Sequence, residues 1–190
     1  VIGVSHFGGK RIIVAEVPGW GVWVPRLLDE INFNRTSIAR SHKIRGRWEN
    51  SYLDEELVPT IRVPMRFARD QGKEVLDLSS VILFEPLPFS HDQFPPFWFN
   101  LAQPGEETGL HDHASLSILS GVVYLVCEED SGNLFFRMDG EDDLEICPEV
   151  GKIVLFDPSI RHGVRENRSG SERISLAFNL FPFPLPVVDL

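Results

Sequence analysis

The sequence predicts a mainly β domain of sandwich or barrel type, and three observations predict it. Beyond residue 113, apolar stretches of strand length alternate with turn signals at Asp130-Ser-Gly-Asn133, Asp139 to Asp143, Pro148-Glu-Val-Gly151, Asp157-Pro158 and Asn167 to Gly170. Prolines at 86, 88, 95, 96 and 104 keep the middle of the chain out of long helices. Hydrophobic residues are 43% of 190, with 14 phenylalanines, which suits one well-filled core and excludes wholesale disorder.

In chain order, residues 11–17 (Arg-Ile-Ile-Val-Ala-Glu-Val) form a strand that Pro18-Gly19 ends. Pro25 opens a short helix, Arg26 to Ile31, with Leu27, Leu28 and Ile31 on one face. Residues 32–50 are polar and basic, with Arg35, Arg40, His42, Lys43, Arg45 and Arg47 close together. Two readings stand for them: a solvated loop or edge strand, or a positive rim that attracts an anionic substrate. Asp54-Glu55-Glu56 resembles a helix start, but Pro59 and Pro64 forbid one continuous helix, so the next helix runs from about Pro64 into Leu76.

Val81 to Phe84 reads as a strand and the proline-rich stretch to 104 as an extended, irregular course, with Phe94 to Phe99 serving as core packing. His113 to Val126 is a long strand twisted near Ser120-Gly121. Further strands are Leu134–Arg137, Leu144–Cys147, Lys152–Phe156, His162–Arg165 and Arg173–Leu180. Alternate prolines bar the tail from Phe181 onward from a central strand, so it lies over the domain as a cover. The whole is one domain, 1–190: a strand and helical support region (1–80), a core (81–182) and an extended tail (183–190).

Net charge is −10, from 18 Lys+Arg and 28 Asp+Glu, which disfavours nucleic-acid duplexes as partners. Cys127 and Cys147 fit no CxxC pattern and suggest no disulfide scaffold. No uncharged apolar run of membrane-spanning length occurs, and the start of the chain does not read as a signal peptide, so the expected location is cytoplasmic and without membrane attachment.

The chemistry concentrates in three of the six histidines. If His111-Asp112-His113 opens a strand, alternation puts His111 and His113 on one side and Asp112 on the other. His162, at another strand start, can join them across the mouth of a sandwich and give three nitrogens to one divalent ion. For each histidine alone, an ordinary surface or core role is the competing reading. On the last strand, Arg173 and Ser175 also share a face. An inward arginine is costly unless it meets an anion, and its planar fork suits a carboxylate. Arg173 facing solvent, or pairing with Asp or Glu, is the alternative, and alternation does not choose between them.

Several stretches in this order carry a family resemblance: Trp98-Phe-Asn100, Pro104-Gly105, His111-Asp-His113, Ser117 to Leu125, Ser131 to Phe136, Pro148 to Pro158, His162-Gly-Val and Glu172 to Leu180. Over roughly residues 100–180 the chain resembles the iron(II)/2-oxoglutarate-dependent oxygenases. More narrowly, it resembles uncharacterised members from bacteria and phages. The first 80 residues carry no comparable signal.

The resemblance implies a double-stranded β-helix (jelly-roll, cupin-like) with short N-terminal helices. It implies Fe(II) as metal and 2-oxoglutarate as co-substrate, consumed to succinate and carbon dioxide while a small-molecule or protein substrate is oxidised. Carried over by position, His111 is the first iron ligand, His162 the distal histidine and Arg173 the anchor of the far carboxylate, with Ser175 its hydroxyl partner. Tyr124 and Asn100 are further co-substrate contacts. His113 departs from the pattern, standing where most of the superfamily has a carboxylate, so the implied ligand set is three histidines. A cupin-like three-histidine metalloenzyme without 2-oxoglutarate, and a non-catalytic jelly-roll module, are the alternatives. A homodimer is compatible with all three readings.

Overall fold

The computed structural model describes residues 2–41, 43–44, 47–78, 81–83, 95–113 and 117–183. The expectations for 84–94, for the tail beyond 183 and for His42 and His91 lie outside the described residues. In chain order come β1 (Ile2–Phe7), β2 (Lys10–Glu16), α1 (Trp20–Phe33), β3 (Ala39–Arg40), β4 (Lys43–Ile44), β5 (Arg47–Trp48) and β6 (Ser51–Tyr52). Next are α2 (Arg62–Glu74), β7 (Val81–Leu83), β8 (Phe97–Ala102), β9 (Thr108–His111) and β10 (Leu119–Val126). The chain continues through β11 (Leu134–Phe136), β12 (Leu144–Ile146), β13 (Lys152–Phe156), β14 (His162–Val164) and β15 (Arg173–Phe183).

Two antiparallel sheets face each other as a jelly-roll. The larger runs β1-β2-β13-β10-β15-β8-β6-β3, with β7 beside the end of β15, and the smaller runs β12-β11-β14-β9. α1 and α2 cover the other face of the larger sheet. Its central strands are therefore buried on both sides, which is why β13 (Lys-Ile-Val-Leu-Phe) and β10 read as continuous apolar runs rather than alternating ones. Odd and even positions still separate. Val123, Leu155, Leu176 and Phe178 pack with Val24, Leu27 and Met65 of the helices. Val122, Tyr124, Val154 and Phe156 pack with Leu134, Phe136 and Ile146 of the smaller sheet. Phe97 and Phe99 join the helix-side core, as the sequence suggested. Among the described residues no helix is long and apolar enough to cross a membrane.

Four local expectations are corrected. Pro25 does not open its helix but sits inside it, since α1 begins at Trp20 after Gly19 in a left-handed conformation (φ 70°). An interior proline costs about 3 kcal/mol, whereas burying Trp23, Val24, Leu27 and Ile31 returns about 1.5–3 kcal/mol each, so the apolar stripe wins. The extended, irregular course ends before residue 97, because β8 pairs with β15 from Phe97↔Phe178 to Ala102↔Arg173. The last strand continues past Leu180 to Phe183, where Pro182 is tolerated beside the short β7. The long strand foreseen from His113 begins only at Leu119, as β10.

Candidate metal centre

His111 closes β9 rather than opening a strand, and Asp112 and His113 follow its end. Pleat alternation is therefore not what unites the pair. His111 and His162 are partners across β9 and β14, with ring centroids 4.4 Å apart. His113 reaches the same point from the loop, because its backbone N–H donates to the Pro158 carbonyl at 2.8 Å, in the turn that leads into His162. Its ring lies 5.0 Å from both other imidazoles and 5.6 Å from Trp98. One ligand atom from each of the three histidines lies within 4.8 Å of the others, a group that can hold a metal ion. Asp112 is exposed and stands outside the group.

The protonation chemistry suits a cation. Nδ1 of His111 lies 2.8 Å from the Gly109 carbonyl, and Nδ1 of His162 lies 2.9 Å from the Ile160 carbonyl. A carbonyl only accepts, so both Nδ1 atoms carry the proton and both Nε2 lone pairs are left for a metal. Burial, and then repulsion from His111, push His162 down to about 3 and His113 down to about 4. Both rings are therefore neutral at ordinary pH. Three imidazoles that converge in this way are a donor set for a divalent transition metal, so the residues present fit one.

The histidines look into a cavity of about 300 Å³ between the two sheets. Its wall on the larger sheet carries a polar row across three strands, in which Tyr124 of β10 partners Ser175 of β15, and Ser175 partners Asn100 of β8. Directly paired residues share a face, so all three point into the cavity. Arg173, two residues before Ser175, lines the same wall at 1% exposure. Arg173 is thus turned inward and not toward solvent. Its Nη1 donates to the Ser131 carbonyl at 2.5 Å. The Ser131–Gly132 loop comes this close because Gly132 adopts φ 95°, and a Cβ there would stand 2.8 Å from Arg173 Nη1. The Tyr124 hydroxyl is fully buried with no hydrogen-bond partner among the described residues, and burial raises its pKa. The rest of the lining is mostly apolar, including Leu134, Phe156, Val164 and Ala177.

All seven residues singled out in the sequence (Asn100, His111, His113, Tyr124, His162, Arg173 and Ser175) line this one cavity. The sequence reading missed Glu49 and Asn50, which also line it and come from the segment read as a loop or positive rim. Arg35 from that segment is turned away, bonded to Glu172 and Asn32. No local signal marks Glu49, because its place depends on β6 joining β8 at Ser51↔Phe99.

Comparison with known proteins agrees with this geometry. Residues 139–179, from the turn before β12 to within β15, match a family model described as "Putative 2OG-Fe(II) oxygenase". No curated protein sequence matches the chain. Among solved structures, a prolyl-4-hydroxylase from Pseudomonas putida is similar at TM-score 0.65 and 20% identity, over 90% of this chain and 92% of that one. A prolyl hydroxylase from Trichoplax adhaerens, held with a hypoxia-inducible-factor peptide fragment, gives 0.66 and 11% over 90% and 83%. The epimerase SnoN of nogalamycin biosynthesis, in complex with Fe3+, alpha ketoglutarate and nogalamycin RO, gives 0.64 and 15% over 89% and 78%. The family that this chain matches in segment, and resembles in fold, is that of the 2OG-Fe(II) oxygenases.

Proposed function

We propose that the chain is an Fe(II)- and 2-oxoglutarate-dependent oxygenase that oxidises a small-molecule or protein substrate with release of succinate and carbon dioxide. The observation that carries this reading is one cavity with two complementary walls. On one wall stand three imidazoles. On the other, a buried guanidinium, two hydroxyls and an amide are gathered by strand register. The first wall fits a divalent metal and the second fits a small dianion.

Bound there, the metal and keto acid would supply oxygen activation and the electrons for it. The chain's own groups do the rest. His111 and His162 present Nε2, and His113 completes the set. Arg173 and Ser175 receive a carboxylate, and the planar guanidinium fixes its orientation as a lysine would not. The Tyr124 hydroxyl, which has no hydrogen-bond partner among the described residues, is a donor ready for an oxygen of the same molecule. The apolar lining excludes water and strengthens each of these polar contacts.

The test is anaerobic reconstitution with Fe(II), titration with 2-oxoglutarate, and measurement of succinate once oxygen is admitted. A visible charge-transfer band that needs both components, and that Arg173→Ala abolishes, supports the proposal. Metal binding with no response to the keto acid favours the cupin-like reading instead, and absence of any bound transition metal favours the non-catalytic one.

A further inference from the structure

The turn between β13 and β14 touches two of the three histidines through two of its carbonyls. Pro158 O accepts from the His113 backbone N–H at 2.8 Å, and Ile160 O accepts from His162 Nδ1 at 2.9 Å. One carboxylate sets the shape of that turn. Asp157 Oδ1 accepts from the Ser159 N–H at 2.9 Å and from the Ser159 hydroxyl at 2.6 Å, while Ile160 N–H closes on the Asp157 carbonyl at 3.0 Å. Pro158 fixes its own φ and has no N–H to divert. From the far end of the sequence Lys10, the first residue of β2, reaches the same carboxylate at 2.8 Å and also bonds the Ser159 hydroxyl.

We propose that Asp157 is a positioning residue for the three-histidine centre and that Lys10 is its clamp. His113 lies beyond the end of β9, so strand pairing does not place it. Its main-chain anchor is Pro158, and His162 depends for its ring orientation on Ile160. A change in the turn therefore acts on the His113 backbone and the His162 ring together, while the His111 ring is oriented by the Gly109 carbonyl outside the turn. The β1–β2 hairpin, which carries no family signal, thereby acts on the chemistry without touching it. An exposed ion pair contributes little to stability, and the effect expected here falls on ligand geometry.

This inference rests on the histidines being a metal centre, and the experiment separates the two. Co(II) is titrated into the apoprotein, recording affinity and the visible d–d spectrum, with thermal unfolding alongside. Asp157→Ala is expected to weaken Co(II) binding about tenfold or more, as loss of a supporting group around a ligand commonly does, and to alter the d–d bands. Asp157→Asn keeps the acceptor oxygen of the turn and retains most of the affinity. Lys10→Ala gives a smaller loss that Lys10→Arg restores. Arg26→Ala, which removes an exposed ion pair to Glu30 on α1, leaves affinity and spectrum unchanged. Wild-type affinity and spectrum in both Asp157→Ala and Lys10→Ala overturn the proposal. If Asp157→Ala fails to fold, Lys10→Ala against Lys10→Arg decides it alone. A wild-type protein that takes up no Co(II) overturns the metal-centre reading itself.

Discussion

His111 and His162 face each other as register partners of β9 and β14, their ring centroids 4.4 Å apart. The smaller sheet thus brings together two groups 51 positions apart in the sequence through one ladder contact. Four-ligand zinc sites bind with about 10–16 kcal/mol, so one ligand's share is about 3 kcal/mol, or about two orders of magnitude. His111→Ala and His162→Ala should each lower transition-metal affinity by about that factor, which calorimetric titration of the apoprotein measures. Equal affinity in either variant would remove that histidine from the ligand set.

Acid should destabilise the apoprotein earlier than its carboxylates alone require. His113 and His162 are held down to about 4 and about 3, against about 6.5 in an unfolded chain. Between those limits the unfolded state binds protons that the folded state refuses, so stability falls as pH drops from about 6.5 toward 4. Above that window these two groups contribute no slope. Asp143, pushed down to about 2 by Arg137 and Arg165, acts only at lower pH. Urea midpoints at pH 7.5, 6 and 5 should show the decline, and His162→Gln should flatten it.

Tyr124→Phe should separate folding from binding by sign. The lost hydroxyl is buried without a partner among the described residues, and such a group costs about 1–3 kcal/mol. The apoprotein should therefore unfold at an equal or higher temperature, while the 2-oxoglutarate titration shifts to weaker binding. A variant that loses stability and leaves keto-acid affinity untouched would take Tyr124 out of the site.

Arg173→Lys keeps the charge but loses the fork. A hydrogen bond to a charged group contributes about 1.5–3 kcal/mol, so apparent affinity for 2-oxoglutarate should fall about tenfold to a hundredfold. Co(II) binding should persist, because Arg173 stands on the opposite wall from the histidines. Spectroscopic titrations with each ligand check both halves.

Gly132→Ala should act on Arg173 from outside the cavity. Its φ of 95° strains any side chain, and the new Cβ would meet Arg173 Nη1 at 2.8 Å and overlap the Arg165 carbonyl. A loss of about 1–3 kcal/mol of stability is expected, together with weaker keto-acid binding. Chemical denaturation read against the 2-oxoglutarate titration shows both.

Much of this was legible in the sequence because the signals were local. Lys152–Phe156, Leu134 and Arg173 begin or fill strands where their apolar runs and turn residues put them. Arg173 was legible only in part: alternation left an inward face and a solvent-facing or ion-paired role both open, and its 1% exposure is what puts it inward. What was illegible depended on distant partners. Trp20 to Val24 joined α1 because a core stripe outweighed Pro25, which local propensity cannot weigh. His113 was placed correctly beside His111 for the wrong reason, since a carbonyl 45 positions away does what alternation was credited with. Glu49 faces the cavity through a pairing of β6 that two residues of strand cannot announce.

The polar row from Tyr124 through Ser175 to Asn100 has a consequence for folding as well as for ligand binding. Apart from Arg173 and the hydrogen-bonded pair Ser120–Asn179, both faces of these strands are apolar elsewhere, so hydrophobicity alone would tolerate β15 sliding by one position between β10 and β8. A slip of one residue turns Arg173 and Ser175 toward α1 and α2, into a layer of leucine, valine and phenylalanine with no polar partner. The groups that suit the cavity to a dianion also penalise every odd-numbered misalignment of the central strand, so the site helps to specify the sheet on which it stands.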